Sequence, residues 1–158
     1  MAVAKRTFAD VAAMEAAMTY GESLSSGWRT VDQATIDAFA EATGDRQWIH
    51  VDAARAAAES PFGTTIAHGF LSLSLLSAMI AETFAIDSAV LTINYGFDRV
   101  RFIAPVPVDA RVRATFALAN VTRGGGGTRV TWDVAMEIAG SAKPALAAQW
   151  IALVVEGG

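Results

Sequence analysis

Core-facing and polar residues recur with two different periods along this chain, and the change of period divides it into two halves. The first half follows helical spacing. Between Gln33 and Thr43 the positions expected to face the core are Ile36, Phe39, Ala40 and Thr43, at i, i+3, i+4 and i+7. Asp32 is a suitable N-cap for this helix, and Gly44 is placed to end it.

Three further helices are predicted in the first half. An alanine-rich stretch beginning near Phe8 carries Met14 and Met18 at i, i+4, which indicates a short N-terminal helix. Asp52 can cap a second short helix that ends near Ser60. The segment from about His68 to Glu82 is apolar on nearly every side, and its polar members are small serines. Such a pattern predicts a helix that is buried all round.

Beyond Ser88 the period changes to two, which is typical of strands. The alternating apolar positions fall into three groups: Ile93, Tyr95 and Phe97, followed by Val100 and Phe102; Val112, Ala114, Phe116 and Leu118; and Val130, Trp132, Val134, Met136 and Ile138. The stretch Ala145 to Val155 is apolar on both faces, as expected of a strand covered on each side. Gly124 to Gly127 and Gly140-Ser141 are predicted hairpin turns. The whole pattern predicts an α+β fold in which an antiparallel sheet wraps around one central buried helix.

Composition and charge narrow the class of protein. The 158 residues are 53% hydrophobic and 18% charged, which favours one ordered domain over residues 1–158. The apolar surplus suggests a homo-oligomer. The net charge of -4 gives no indication of a nucleic-acid partner. The longest apolar run, near 70–80, is too short for a membrane span of about 20 residues, and no targeting segment is apparent, so we expect a soluble cytoplasmic protein.

The chain offers little conventional catalytic chemistry, because it has no cysteine and only two histidines. The absence of cysteine excludes disulfides, thiolate nucleophiles and Cys-ligated metals. One histidine, His50, follows Asp45 in the stretch T-G-D-R-Q-W-I-H, just after a predicted helix end. A carboxylate and an imidazole that converge on one water can take a proton from it and return one elsewhere without a metal. The alternative is that Asp45 closes the turn and His50 packs against Trp48.

The stretch I-A-H-G-F at the start of the predicted buried helix is a second candidate. Backbone N–H groups of a first helical turn have no intrahelical partner, so the Gly69 N–H could stabilise a carbonyl oxygen that gains charge in a transition state. Gly69 could instead be a packing glycine where the helix meets the sheet. His68 could cap the helix without any part in chemistry.

These motifs together resemble a known family, the MaoC-like (R)-specific enoyl-CoA hydratases. The resemblance rests on G-D-x-x-x-I-H-x-D at 44–52, on P-F-x-x-x-I-A-H-G at 61–69 and on the helix that follows. G-D-x-Q-W-I-H-V-D, I-N-Y-G at 93–96 and R-F-x-x-P-V-P-V at 101–108 are similar to the NodN-type branch. Many hydratases have Asn-Pro where this chain has Gln47-Trp48, which leaves the shape of the acyl pocket open. Gln47 could replace an asparagine hydrogen bond, and Trp48 could brace the loop.

The resemblance implies a hot-dog fold, a homodimer, and reversible hydration of trans-2-enoyl-CoA to (R)-3-hydroxyacyl-CoA. By motif position, Asp45 and His50 would be the catalytic pair and Gly69 the oxyanion-hole amide. Ser77 would give the pair a supporting hydrogen bond, unless it only bonds back to a helix carbonyl. No metal and no cofactor are implied, since coenzyme A is part of the acyl-CoA thioester substrate.

In the expected mechanism Asp45 takes a proton from water as hydroxide adds to C3, and His50 relays a proton to C2. The acyl chain is expected along the central helix, beside residues such as Phe70 and Leu73. Two other functions fit the same fold class. A hot-dog acyl-CoA thioesterase would release the free thiol, and a non-catalytic acyl-CoA-binding subunit would bind without turnover.

Overall fold

The fold is described by a computed structural model that covers residues 4–157. Five helices are present in this range: α1 Val11–Ala17, α2 Gln33–Thr43, α3 Trp48–Val51, α4 Ala53–Glu59 and α5 Gly69–Thr83. Eight strands are present in the same range: β1 Arg6–Phe8, β2 Ser23–Ser25, β3 Arg29–Val31, β4 Phe84–Ile86, β5 Ala89–Phe102, β6 Ala110–Gly124, β7 Gly127–Ile138 and β8 Leu146–Glu156.

The main sheet is antiparallel and has six strands, in the order β2-β6-β7-β8-β5 with β3 also paired to β6. The short strands β1 and β4 form a separate parallel pair. Helix α5 contributes Leu71, Leu76 and Met79 to the same hydrophobic core as the inward-facing residues of β6, β7 and β8. The predicted α+β architecture, a sheet wrapped around a central helix, is therefore confirmed.

The helix signals in the sequence mostly locate real helix ends. Asp32 accepts a hydrogen bond from the Thr35 N–H at the start of α2, and Gly44 ends that helix with a left-handed φ of 78°. Asp52 caps α4 in the same way. The face of α2 is shorter than predicted, because Thr43 is exposed. Helix α1 begins at Val11, since Phe8 belongs to β1.

The strand predictions hold on the inner faces of β6 and β7, whereas Ile93, Tyr95 and Phe102 of the predicted β5 group are exposed in the single chain. The alternating residues of β6 and β7 named above are all buried, and the glycine run forms the turn between the two strands. Strand β5 carries register shifts between Asn94 and Gly96 and between Phe97 and Arg99, and the second shift explains the break of its alternation. The prediction for β8 was wrong in one respect, because its outer face is only partly covered in the single chain.

Helix α5 was predicted to be buried all round, and in the single chain it is not. Leu71, Ser72 and Leu76 are buried, but a stripe of residues on another face is exposed, namely Phe70, Ser74, Ser77, Ala78 and Ala81. Apolar and small side chains give the same sequence pattern whether their cover comes from their own chain or from a second one. Within residues 4–157, no helix combines the length and the apolar character that crossing a bilayer would require.

The turn between β6 and β7 generates a stability prediction. Gly127 has a φ of 130°, and a Cβ at this position would lie 2.7 Å from the backbone oxygen of Val154. We expect Gly127→Ala to lower the free energy of unfolding by about 2 kcal/mol or more, since both the φ value and the clash disfavour a side chain. Gly126→Ala is the matched control, because nothing lies within 4 Å of its added Cβ. Equal urea midpoints for the two variants would contradict the prediction.

Candidate active site

His50 lies on a helix, not in the loop that the sequence suggested. The four-residue helix α3 begins after Gln47 and ends at Asp52, whose N–H donates to the Trp48 carbonyl at 3.0 Å. Asp52 therefore ends α3 and caps α4 at the same time. The result is a tight corner in which the His50 side chain is buried, with 6% of its surface exposed.

An extended segment, Thr65 to Ala67, runs beside α3 and leads into α5. On one side it is bonded to the backbone of Val106 and Val108. The Ala67 N–H donates to the Val106 carbonyl at 2.8 Å, and the Val108 N–H donates to the Thr65 carbonyl at 3.0 Å. On the other side the Ile66 N–H donates to the Ile49 carbonyl at 3.0 Å. These bonds bring the end of α3 and the start of α5 together.

The His50 ring is fixed by a hydrogen bond to this segment. Its Nδ1 lies 2.7 Å from the carbonyl oxygen of Ile66. A carbonyl can only accept, so Nδ1 carries the proton, and in the neutral ring Nε2 is left with its lone pair free. Burial lowers the pKa of His50 from its ordinary value of 6.5, and the neighbouring His68 adds to this; the bond to Ile66 and the Asp45 carboxylate act in the opposite direction. The neutral, proton-accepting ring is thus favoured at neutral pH.

Asp45 lies in the loop between α2 and α3, and its side chain is exposed. Its carboxylate and one ring nitrogen from each of His50 and His68 lie within 4.8 Å of one another. The carboxylate also accepts a long hydrogen bond, 3.4 Å, from the Gln47 N–H, so the turn-closing alternative is realised as well. Arg46, the adjacent cation, is paired with Glu41, and no ion pair to Asp45 forms within residues 4–157.

His68 does not cap α5, as its side chain makes no hydrogen bond to the first helical turn. Its Nε2 lies 2.9 Å from the backbone carbonyl oxygen of Asp45. Its ring stacks on the ring of His50 at a centroid distance of 3.8 Å and an interplanar angle of 25°. His68 therefore contacts both members of the predicted pair, a role that neither motif reveals by itself.

A cavity of about 320 Å³ lies beside His50 and the start of α5. His50, Gly69 and Ser72 line it, and the remaining lining residues are apolar: Ile66, Ala67, Phe102, Ile103, Ala104, Pro105, Val106 and Ala145. The Gly69 N–H has no hydrogen-bond acceptor within residues 4–157. A Cβ on Gly69 would lie 3.1 Å from the Phe102 ring, so the packing role and the free amide coexist at this residue.

Ser77 is not brought to the predicted pair within one chain. It lies eight residues after Gly69, about 12 Å further along the helix axis, and it lines a different cavity of about 470 Å³ together with Trp132 and Trp150. Ser72, one turn after Gly69, lines the same cavity as His50 and is 4% exposed. Phe70 and Leu73, the residues expected beside the acyl chain, line neither cavity within one chain, and 68% of the Phe70 surface is exposed.

Two polar residues that sequence reasoning missed support α3. The Gln33 side chain donates to the His50 carbonyl oxygen at 2.8 Å and accepts from the Thr65 hydroxyl at 2.6 Å. Gln33 is the first residue of α2, so it links the start of that helix to both sides of the site. A glutamine at a helix start carries no sequence signal for such a role.

Gln47-Trp48, which stands where many hydratases have Asn-Pro, changes the contacts between α3 and α4. The guanidinium of Arg55 lies over the Trp48 ring, 4.4 Å from its centroid, and pairs with Glu59. Trp48 thereby joins α3 to α4 by stacking, which fits the predicted bracing role. The Gln47 side chain makes no cap hydrogen bond, so it does not act as a helix cap in place of an asparagine.

The spacing of Asp45, His50 and His68 alone would also suit a metal ion. The stacking of the two rings argues against that use, since nearly parallel rings direct their in-plane lone pairs side by side and not toward one point. His50 Nδ1 and His68 Nε2 are in addition occupied by carbonyl oxygens. The arrangement suits proton transfer better than metal coordination.

Comparison with known proteins places these features in a family. The chain is 51% identical over 148 residues to 3-hydroxyacyl-thioester dehydratase Z of Mycobacterium tuberculosis, covering 92% of this chain and 96% of the relative. It is 52% identical over 131 residues to nodulation protein N of Rhizobium leguminosarum, covering 82% of this chain and 81% of the relative.

Solved structures agree with the fold. An unliganded R-hydratase from Pseudomonas aeruginosa superposes with a TM-score of 0.69 at 25% identity, over 90% of this chain and 85% of that one. A monoamine oxidase regulatory protein from Archaeoglobus superposes with a TM-score of 0.77 at 23% identity, over 97% of this chain and 98% of that one. The expected hot-dog fold is thus confirmed. Residues 15–137 match the MaoC like domain, and the chain belongs to the MaoC-like family.

Proposed function

We propose that this protein is an (R)-specific enoyl-CoA hydratase of fatty-acid metabolism, a hydro-lyase that interconverts trans-2-enoyl-CoA and (R)-3-hydroxyacyl-CoA. The observation that carries the proposal is the free Nε2 of a neutral His50 in the same apolar cavity as the unpaired Gly69 N–H. The dehydratase and hydratase relatives support the same reaction class.

In the proposed reaction the thioester carbonyl oxygen accepts a hydrogen bond from the Gly69 N–H. This interaction polarises the conjugated double bond and stabilises the enolate-like transition state, and α5 adds its dipole in the same direction. The other lining residues of the cavity are mostly apolar, which suits an enoyl chain. Phe102 packs against Gly69 and would form part of the wall beside the thioester.

The geometry favours a different division of labour from the expected one, with His50 and not Asp45 as the group that takes the proton from water. His50 lines the cavity and Asp45 does not. His50 Nε2 would accept a proton from water as the oxygen bonds to C3, and would return that proton to C2. Asp45 would accept a hydrogen bond from the other water hydrogen and stabilise the imidazolium that forms in between. One water is thereby added across the double bond, and no proton is left over.

Removal of either polar group is the first test of this proposal. We expect Asp45→Asn and His50→Gln each to lower kcat for crotonyl-CoA hydration roughly 10²- to 10⁴-fold, the usual contribution of a positioned acid or base. Initial rates follow from loss of the enoyl absorbance.

Asp52→Asn is the matched control, since asparagine also caps helices and the control makes the same chemical change seven residues away. Its rate is expected within about twofold of wild type because the α4 cap is retained. Wild-type rates for Asp45→Asn or His50→Gln would contradict the proposal. Thiol release by the wild-type protein without loss of the double bond would favour a thioesterase, and tight acyl-CoA binding without turnover would favour a binding subunit.

The pH dependence should report the buried state of His50. Because burial lowers its pKa below 6.5, the base form should persist to lower pH than for an exposed histidine. We expect the acidic limb of kcat/KM to have its midpoint below about 6.5. The neutral His50 should also contribute to the free energy of unfolding. This contribution is complete above the unfolded-state pKa of about 6.5 and is lost as the pH falls through the lowered pKa of the folded state. An acidic midpoint at or above 6.5 would contradict this prediction.

We further propose that the active form is a homodimer in which a second copy covers the edge strand β5. This strand ends the sheet, and several large apolar side chains on it are exposed: Val90, Leu91, Ile93 and Tyr95. An exposed, long and apolar edge strand is a ready partner for another chain. The exposed stripe of α5, which consists of Phe70 and four small residues, gives a second surface that a partner could cover.

Light scattering after size exclusion tests the dimer. The wild-type protein should have twice the chain mass of 16.6 kDa, and Val90→Lys should shift it toward the single-chain mass, since a buried lysine would be costly at the interface. Tyr20→Lys is the control, because Tyr20 is a similarly exposed apolar residue away from β5. A wild-type mass of one chain, or a Val90→Lys protein that stays dimeric, would contradict the proposal.

A further inference from the structure

We propose that His68 is a positioning residue of this site, which holds the Asp45 loop and the His50 ring in their working places. The inference rests on the proposed hydratase function and deepens it. His68 is buried, with 2% of its surface exposed, and no step of the proposed reaction uses it. Its contacts nevertheless converge on the two groups that the reaction needs.

The first contact restrains the loop that carries Asp45. Within residues 4–157 the exposed Asp45 side chain accepts a single hydrogen bond, a long one of 3.4 Å from the Gln47 N–H. The backbone carbonyl of the same residue accepts a bond from His68 Nε2 at 2.9 Å. That bond ties the loop to the residue immediately before Gly69. It therefore couples the position of the carboxylate to the position of the oxyanion-hole amide.

The second contact restrains the His50 ring. The two imidazoles stack at 3.8 Å, and the other aromatic contact of His68 is the Phe39 ring of α2, at 5.0 Å. The His50 ring is thus held through its face by His68 and through its edge by the bond from Nδ1 to Ile66. A ring fixed in both ways keeps Nε2 directed away from the Ile66 carbonyl, as the proposed proton transfer requires.

The two histidines must hold opposite tautomers in this arrangement. His50 donates from Nδ1 and His68 donates from Nε2, because both acceptors are carbonyl oxygens. The Nδ1 of His68 is then a buried acceptor without a hydrogen-bond partner among residues 4–157. Leaving a buried polar atom unpaired is costly. A phenylalanine would fill the same space without that cost, which points to the Nε2 donor as the reason for a histidine here.

Two substitutions separate the donor from the ring. His68→Gln keeps an N–H donor at a similar reach but loses the stack, and His68→Phe keeps a ring but loses the donor. Because displacement of a reacting group by about 1 Å can cost about 10²-fold in rate, we expect His68→Phe to lower kcat for crotonyl-CoA about 10²-fold. KM should change less than about threefold, since the Gly69 amide is retained. His68→Gln should recover kcat to within about tenfold of wild type.

A destabilised control guards against a merely structural explanation. Met79 is fully buried on the same helix and lines neither cavity, so Met79→Ala should lower Tm while kcat stays near that of wild type. Wild-type kcat in His68→Phe would overturn the proposal. The proposal would also be overturned if His68→Gln and His68→Phe lost the same activity and if Met79→Ala, at the same loss of Tm, lost as much, because loss of stability alone would then explain the effect.

A spectroscopic readout makes the outcome independent of activity. The chain has only two histidines, so ¹⁵N-histidine labelling gives two imidazole signal sets, which His68→Phe assigns. Above the titration range we expect His50 protonated at Nδ1 and His68 protonated at Nε2. Both rings in the same tautomer, or exchanging mixtures, would overturn the positioning role. Opposite tautomers in a wild-type protein that hydrates no enoyl-CoA would overturn the proposed function alone.

Discussion

The hydrogen bond from His50 Nδ1 to the Ile66 carbonyl is the interaction on which the site depends. It joins the four-residue helix α3 to the extended segment that leads directly into α5. The same bond fixes the tautomer of His50, and so decides which ring nitrogen can accept a proton. Because Ile66 is only three residues before Gly69, the bond also sets how far the imidazole lies from the free amide at the start of α5. The position and the tautomer of the His50 ring are therefore determined together.

The surroundings of the two polar groups differ in a way that suits their proposed roles. His50 is buried, which lowers its pKa and favours the neutral ring. Asp45 is exposed, and no cation pairs with it within residues 4–157, since Glu41 occupies the neighbouring Arg46. A carboxylate at the rim can stabilise a transient imidazolium without first having to be desolvated. In the proposed reaction the proton is transferred inside the cavity by His50, and Asp45, which does not line the cavity, would stabilise the transient charge from outside it.

Sequence reasoning predicted the parts of this structure that depend on local chemistry. The caps of α2 and α4, the alternation in β6 and β7, and the glycine turn all follow from residue preferences within a short stretch. Helix α3 escaped prediction because four residues are too few to show a period. The exposed stripe of α5 and the half-covered β8 escaped because composition does not say which chain supplies the cover.

The site itself was predicted in part. The motifs led to Asp45, His50 and Gly69, of which Asp45 lies close to His50, and His50 and Gly69 line the same cavity. They led also to Ser77, which lines a different cavity, whereas Ser72 lines the cavity of His50. The contacts of His68 and Gln33 could not be predicted, since both depend on backbone carbonyls distant in sequence. Side-chain bonds to backbone groups that are distant in sequence leave no pattern in one sequence.

The most direct measurement of the central claim is a crystal structure of the protein with (R)-3-hydroxybutyryl-CoA bound. The account predicts the thioester oxygen about 3 Å from the Gly69 nitrogen and the C3 hydroxyl about 3 Å from His50 Nε2. Asp45 should lie on the same side of the hydroxyl. A thioester bound away from Gly69, or a C3 hydroxyl facing away from His50, would contradict the account.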